Sequence, residues 1–583
     1  MKILAFAPHA AIWVHAFPEA LILESLKQGG HEIIYASCGG QFKDYCIPMN
    51  AFGLAVDSPD NKKAGVCNTC TRNKDLIKAS FGFHGADLVD MVQRTDHDQV
   101  EAILKKADRH NFLEIELDRI PVGRYALYEF LLNEKKNSLS FTDEEWIRFL
   151  PALKNGLYSF VACKRILDEQ RPERVVTYNS FYSVNHICCA LAEQRGIPHY
   201  FLHAGGNISN RLQTLSLSRG YAIGTLVKNP HWKVYRDIPC AQAALSNVTD
   251  HFLSLLEGRN VFAYSAPKAD AIPDLRAKFG IPSDRKILLA TMSSRDERFA
   301  AETVGVMPQD FKAVFPNQIE WIKSLIAYVN DDPSLFLIVR VHPRDFPNKR
   351  ENRKSAQAEQ LEQLFQTLPP NVKINWPSDN VSLYDLAGVV DVVLNGWSNA
   401  GKELSLLGIP VVIYSDELVM AYPPDLNYVG TTLEEYFANI RQALKDGWSL
   451  ENSRTAYRWG VFEYVRSTIG ISESFRYEEN PQVTLSKKIS NRLLRTINPY
   501  WQQKRDCRKR APELASRVLV DKLISEGRET FLDVCAVDEK LSISLEEETR
   551  FLCVELGRLA RALYGTQYGD ALGGLALKLK QFM

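Results

Sequence analysis

Residues 2–7, Lys2-Ile3-Leu4-Ala5-Phe6-Ala7, and residues 31–36, His31-Glu32-Ile33-Ile34-Tyr35-Ala36, are two short apolar runs of strand length. Between them, the segment from about Pro18 to Gln28 carries apolar residues at helical spacing and closes on Gly29-Gly30, a helix-ending pair. Strand, helix and strand in so few residues make a βαβ unit, which predicts a parallel sheet faced by helices. The pattern returns at Arg174-Val175-Val176-Thr177-Tyr178-Asn179, continues through an apolar helical stretch reaching Cys189 and Ala192, and resumes after Gly196-Ile197-Pro198 with His199-Tyr200-Phe201-Leu202-His203. Residues 60–150 are richer in charge and predict helices joined by loops.

A second series starts beyond Ser265-Ala266-Pro267-Lys268 and Gly280-Ile281-Pro282-Ser283, which break the periodicity. Lys286 to Thr291 reads as a buried strand, and Leu335 to Val341, Val372 to Asn375, Val389 to Leu394 and Pro410 to Tyr414 read as its successors. Gln318 to Asn330 and Glu359 to Thr367 suit helices. After about residue 480 the strand signal fades, and Ala511 to Ser525 and Leu545 to Tyr564 are amphipathic at helical period. At 583 residues the chain is too long for a single core, so two αβ units and a helical tail are expected.

Composition narrows the function. Seventy Lys and Arg balance seventy Asp and Glu, leaving no global field to hold a polyanion, so nucleic acid is not expected as a partner. No stretch approaches the ~20 apolar residues that span a bilayer. Pro8, His9 and His15 interrupt the opening apolar run, which argues against a secretory leader. Eleven Cys are too few for a disulfide scaffold, and a reducing cytosol is the expected compartment. Cys67 and Cys70 have the spacing of half a zinc site, but seven residues separate Cys38 from Cys46, so buried or free thiols are the commoner reading and no metal is expected. The cluster Lys504-Arg505 to Arg508-Lys509-Arg510 is either a solvated helix face or a surface for anionic lipid.

Ligands of open αβ sheets bind at the carboxyl ends of the strands. Three segments of the second series leave such ends: Thr291-Met292-Ser293-Ser294-Arg295; Arg340-Val341-His342-Pro343-Arg344; and Asn395-Gly396-Trp397-Ser398-Asn399-Ala400-Gly401-Lys402-Glu403. Ser398 and the amides through Gly401 would open a helix, where unpaired N–H groups and the macrodipole favour an anion. Glu403 could accept from two ribose hydroxyls. His342, held by Pro343, could donate to a leaving phosphate oxygen, with Arg340 or Arg344 adding charge. Each residue has a plainer reading: a rigid His-Pro turn, a first-turn carboxylate, and an N-cap in Ser293-Ser294-Arg295.

The His-Pro pair followed by Ser398-Asn399-Ala400-Gly401-Lys402-Glu403 and Gly408-Ile409-Pro410 resembles the nucleotide-binding half of GT-B glycosyltransferases. The likeness is to bacterial capsule and surface-polysaccharide transferases, including Kdo transferases. It extends distantly to GT-B sialyltransferases and, in the His-Pro and Ser/Glu pieces, to polyol-phosphate polymerases. It covers Lys286 to Tyr414, with Gly123-Arg124-Tyr125-Ala126 and Cys67-Asn68-Thr69-Cys70 as family-like pieces of the first half. The resemblance implies an α/β, GT-B-like fold of two Rossmann-like domains facing across a cleft. Residues 1–265 would form the acceptor domain, 266–480 the nucleotide-sugar domain and 481–583 a helical extension. It also implies that His342 and Ser398 contact the donor phosphate and Glu403 the sugar or ribose; the strand ends themselves add Ser293, Ser294, Arg295, Arg340, Arg344, Asn399 and Gly401 to the expected donor site.

Where relatives often carry an acidic base before Gly, this chain reads Leu202-His203-Ala204-Gly205-Gly206. The base is therefore sought among His203, His15, His9 and Glu19, with His203 and His15 first, since histidine titrates near operating pH. The implied activity is metal-independent, inverting transfer from a nucleotide sugar to a glycan or lipid-linked acceptor. A CMP-linked acidic sugar such as Kdo or a nonulosonic acid is the first donor and a UDP-sugar the next. No cofactor is implied. The setting would be cytoplasmic, with the tail offering peripheral contact at the inner membrane face. A CDP-glycerol-type polyol-phosphate transferase and a non-catalytic assembly scaffold are the alternatives.

Overall fold

The structure is a computed structural model that describes residues 1–221, 230–258, 264–270, 273–307, 314–348, 353–396, 398–415, 425–477, 500–535, 543–565 and 574–583. Among the described residues, twelve strands build two six-stranded sheets. The first sheet holds β1 (Lys2–Phe6), β2 (Glu32–Ala36), β3 (Arg174–Tyr178), β4 (His199–Ala204), β5 (Thr214–Arg219) and β12 (Ile469–Gly470), in the order β12-β5-β4-β3-β1-β2. The second holds β6 (Lys286–Thr291), β7 (Leu335–Arg340), β8 (Val372–Asn375), β9 (Val392–Asn395), β10 (Val411–Ile413) and β11 (Tyr428–Val429), in the order β11-β10-β9-β6-β7-β8. Every pairing in the second sheet is parallel. Helices cover both faces, which is why β7 reads as an unbroken apolar run ending in a buried arginine.

The expected strands are present, and the fold is the GT-B-like pair of Rossmann-like units. Helix Trp13–Gln28 starts ahead of Pro18 and runs through it, because Phe17, Leu21, Ile22 and Leu23 are packed in the core. In the first sheet, β5 lies antiparallel to β4, and β12 pairs antiparallel with β5, so the chain returns from the second unit to the first.

Packing interleaves the two units. Helix Gln242–Glu257 places Leu245, Val248, Phe252 and Leu255 in the core under the second sheet. Helix Arg295–Thr303, which follows β6, places Ala300 and Ala301 in a core cluster of the first unit. The tail is helical and divided between the two. Cys507, Val520, Leu523 and Ile524 join the first core, while Leu552, Leu556, Leu559 and Leu579 join the second. Of the basic cluster, Arg510 turns inward to pair with Glu24 at 2.9 Å, and Lys504, Arg505, Arg508 and Lys509 face solvent. Among the described residues no helix is long and apolar enough to cross a membrane.

Candidate functional site

Register sets the second sheet's edge. Thr291 pairs with both Arg340 and Asn395, so β6, β7 and β9 end level and the segments carrying Ser293, His342 and Ser398 leave one rim. The Arg344 backbone N–H donates to His342 Nδ1 at 3.3 Å. An amide can only donate, so Nδ1 carries no proton and the hydrogen sits on Nε2. Burial pushes this histidine's pKa down to about 4, and the ring is neutral at ordinary pH. The Tyr264 ring packs against it at 5.6 Å.

On the neighbouring segment, Ser398 caps helix Asn399–Ser405, its Oγ accepting from the Ala400 N–H at 3.2 Å. Asn399 is exposed at the helix start, and Trp397 lies outside the described residues. A Cβ on Gly401 would come within 2.5 Å of Asn395 Nδ2, so the glycine lets the helix close on that side chain. Tyr384 donates its hydroxyl to Glu403 Oε2 at 3.0 Å, and burial raises the Glu403 pKa.

The other expected donor ligands are engaged within the protein. Arg340 is buried and donates to Asn375 Oδ1, the Val381 carbonyl and Ser265 Oγ, with burial lowering its pKa to about 10. Arg344 is buried too, paired with Asp296 at 2.8 Å and donating to the Leu132 carbonyl at 3.1 Å. Arg295 pairs with Glu302 of its own helix at 3.0 Å, and Ser294 donates to Glu297 at 2.8 Å. Gln318 holds both backbone polar groups of Ser293, whose buried hydroxyl has no partner among the described residues.

The first sheet's edge is level in the same way. Phe6 pairs with Thr177, which pairs with Phe201, so His9, Asn179 and His203 lie along one rim. His203 Nδ1 lies 3.1 Å from the Ala204 carbonyl. A carbonyl can only accept, so here Nδ1 carries the hydrogen and Nε2 keeps its lone pair. The Tyr178 ring lies 5.4 Å from His203 and stacks on His15 at 4.4 Å. Burial drives the His203 pKa to about 4. His15 falls to about 3 through burial first and the neighbouring His203 second. Glu19, one turn beyond His15, accepts from the Tyr178 N–H at 3.2 Å, and burial raises its carboxyl to about 8. His9, His15, Glu19, Tyr178 and Asn185 line a narrow pocket. His9 also borders a cavity of about 250 Å³ lined by Tyr45, Glu129, Asn133, Asn155 and, from the second unit, Arg353.

Two junctions bring the rims together. Lys135, only 1% exposed, sends its ammonium to the carbonyls of Arg344 at 2.6 Å, Phe346 at 3.3 Å and Arg353 at 2.6 Å, clamping the segment that carries His342. Glu134 and Arg353 form an ion pair beside it. On the other side, the Arg211 charge acts on His15, His203 and His251, and Lys402 acts on His251 as well. The loop after β4 therefore shares a neighbourhood with the helix after β9. Lys135, Arg211 and Glu129 escaped the sequence reading; a lysine in the pair Lys135-Lys136 looks like any solvated charge until the carbonyls it meets are placed.

These two sheets, with level carboxyl edges bridged by charged clamps, define a GT-B-like architecture. No family model matches the sequence, and no curated protein matches it. Among solved structures, the chain is similar to the UDP-GlcNAc 2-epimerase of Methanocaldococcus jannaschii in complex with UDP-GlcNAc and UDP, at 12% identity and TM-score 0.27, covering 79% of this chain and 98% of that one. It is similar to the glycosyltransferase SnogD from Streptomyces nogalater at 12% identity and TM-score 0.23, covering 80% and 96%. It is also similar to Thermosulfurimonas dismutans KpsC, a beta Kdo 2,4 transferase, at 15% identity and TM-score 0.27, covering 46% and 79%. At these values the chemistry rests on the residues and not on the neighbours.

Proposed function

We propose that the chain is a glycosyltransferase whose second rim holds a nucleotide-activated sugar and whose first rim presents the acceptor. The observation that carries this reading is the opposite Nδ1 partners of two half-buried, neutral histidines on the two rims, a carbonyl at His203 and an amide at His342, so that His203 offers a lone pair at Nε2 and His342 a hydrogen at Nε2. The acceptor hydroxyl proton passes to His203 Nε2, and the acceptor oxygen attacks the anomeric carbon. The bond from that carbon to the leaving phosphate oxygen breaks, and His342 Nε2–H donates to this oxygen as its charge grows. Glu403 faces donor hydroxyls, and Ser293 and Asn399 supply further donor contacts. Ser398, Gly401, Arg340 and Arg344 shape the rim that holds them. His15 supports the ring system of Tyr178 and His203.

The resemblance to surface-polysaccharide transferases favours a CMP-linked acidic sugar, then a UDP-sugar, and a glycan or lipid-linked acceptor entering by the cavity beside His9. A thermal-shift panel of CMP, CDP, UDP, GDP and ADP tests the donor class, because a ligand that binds only the folded state stabilises it by RT ln(1 + [L]/Kd). Stabilisation by CMP or UDP that is lost in His342→Ala supports the reading. A panel without any stabilising nucleotide overturns it.

A further inference from the structure

Four cysteines from three separate segments line one cavity at the end of β1 and β2. Cys38 follows β2, Cys46 precedes the short helix Ile47–Ala51, and Cys67 and Cys70 lie one turn apart on helix Asp60–Phe81. The cavity is small, about 30 Å³. Gly39, at φ 61°, takes the left-handed turn that separates Cys38 from the rest of its loop, and a Cβ there would lie 2.5 Å from Asp87 Cβ. Spacing along the chain argued against a shared site; folding brings the thiols to one space.

Backbone amides converge on the sulfurs. The Phe42 N–H donates to Cys38 Sγ at 3.3 Å, and the amides of Gly40, Met49, Ala10 and Ala11 favour the thiolates of Cys38, Cys46 and Cys70 against burial, which raises all three thiols. Lys74, which also lines the cavity, brings a cation that is paired with Asp87 at 2.7 Å and Asp75 at 3.4 Å. Such N–H···S bonds and a nearby positive charge are what an anionic, thiolate-ligated centre needs around it. Among the described residues no three His, Cys, Asp or Glu side chains gather tightly enough for a single metal ion. A lone zinc would draw its sulfurs to about 2.3 Å from one point. Thiols arrayed around a void match instead a polynuclear core whose iron atoms each take their cysteines from outside.

We propose that Cys38, Cys46, Cys67 and Cys70 ligate an iron–sulfur cluster in this cavity. Each ligation replaces an S–H bond with an S–Fe bond and releases one proton to solvent. A cluster handed over preassembled from small thiolate ligands exchanges those ligands for the protein's, and no electron moves. Cys70, which as a thiol donates to the Pro8 carbonyl at 3.7 Å, gives up that contact. The centre would fasten helix Asp60–Phe81 and the loop after β2 to the end of β1. Through Phe42 and Cys46, which line both spaces, it would form one wall of the larger cavity beside His9.

The test is independent of sugar transfer. The full chain is isolated without oxygen, incubated with a synthetic thiolate-ligated iron–sulfur cluster, desalted, and assayed for iron, acid-labile sulfide and visible absorption. Expected are iron and sulfide in equal amounts with a broad visible band. Cys38→Ser, Cys46→Ser, Cys67→Ser and Cys70→Ser should each lower the content several-fold, while Cys553→Ser on the tail helix leaves it unchanged. The wild-type content decides the matter even if a variant fails to fold. Absence of iron, iron without sulfide, zinc in place of both, or full content retained by all four variants would overturn the proposal.

Discussion

His203 and His342 share a ring and a depressed pKa, yet a neighbouring carbonyl gives one a basic Nε2 and a neighbouring amide gives the other an acidic one. His342→Ala should lose donor turnover by about 10²-fold or more, the usual cost of removing a hydrogen bond to developing charge. His203→Ala should cost about 10²–10⁴-fold in turnover while leaving nucleotide-induced stabilisation intact, because a proton acceptor does not hold the donor. With His203 protonating at about 4, the acid limb of kcat/KM should fall near pH 4. Lowering the pH through that value fills the lone pair that takes the acceptor's proton; a limb near 6.5, the ordinary value for histidine, would place the base elsewhere. Both histidines were legible as residues at or just beyond strand ends. Their tautomers were not, because these depend on single backbone groups whose direction only the fold fixes. The partners of Arg340 and Arg344 were illegible for the same reason: Ser265, Asn375 and Asp296, which engage them, come from distant segments.

At the scale of elements, helix Asn399–Ser405 depends on close approach to β9, where Asn395 accepts from Ser398 and donates to its carbonyl. Gly401→Ala should force Asn395 aside and destabilise the protein by about 1–3 kcal/mol, with weakened nucleotide binding, measured by denaturant unfolding and thermal shift. Lys135→Met removes a buried cation that holds three carbonyls, and the fall in stability should be about 2–3 kcal/mol with donor affinity reduced beside it. Strands and their order of appearance could be read because β1, β3, β6 and β7 are continuous apolar runs. The short β11 and β12 could not, since two residues carry no periodicity. Nor could the crossing of helix Arg295–Thr303 into the other unit's core, since an amphipathic face does not say which partner covers it.

Across the whole molecule, the amphipathic period told that the tail is helical but not that it belongs to both cores. Its Glu548 is fully buried, pairs with Arg458 and accepts from the Cys240 N–H at 2.8 Å. Glu548→Ala would strand the Arg458 charge and cost about 3–5 kcal/mol, measurable as a large drop in melting temperature; a detachable tail would show almost none. Burial also lowers seven of the twelve histidines, His9, His15, His186, His199, His203, His251 and His342, to about 3 or 4. Below 6.5 the unfolded chain binds protons that the folded chain refuses, so stability is lost as the pH falls from 6.5 toward 4. Glu19, Glu129 and Asp345, raised to about 8, 7 and 7, and Asp385, Glu403 and Asp506, also raised by burial, act with the opposite sign. They soften that slope without reversing it, because they are fewer and the lowered carboxyls Asp87, Asp96 and Glu145 add to the loss. Melting temperature should therefore fall between pH 6.5 and 4. The most direct test of sugar transfer between the two rims is mass-spectrometric product analysis after incubation with CMP- and UDP-sugars and a glycan acceptor. The account predicts a glycosidic product and free nucleotide from the wild type, both lost in His203→Ala and His342→Ala. A phosphodiester product, or the same yield from all three proteins, would contradict it.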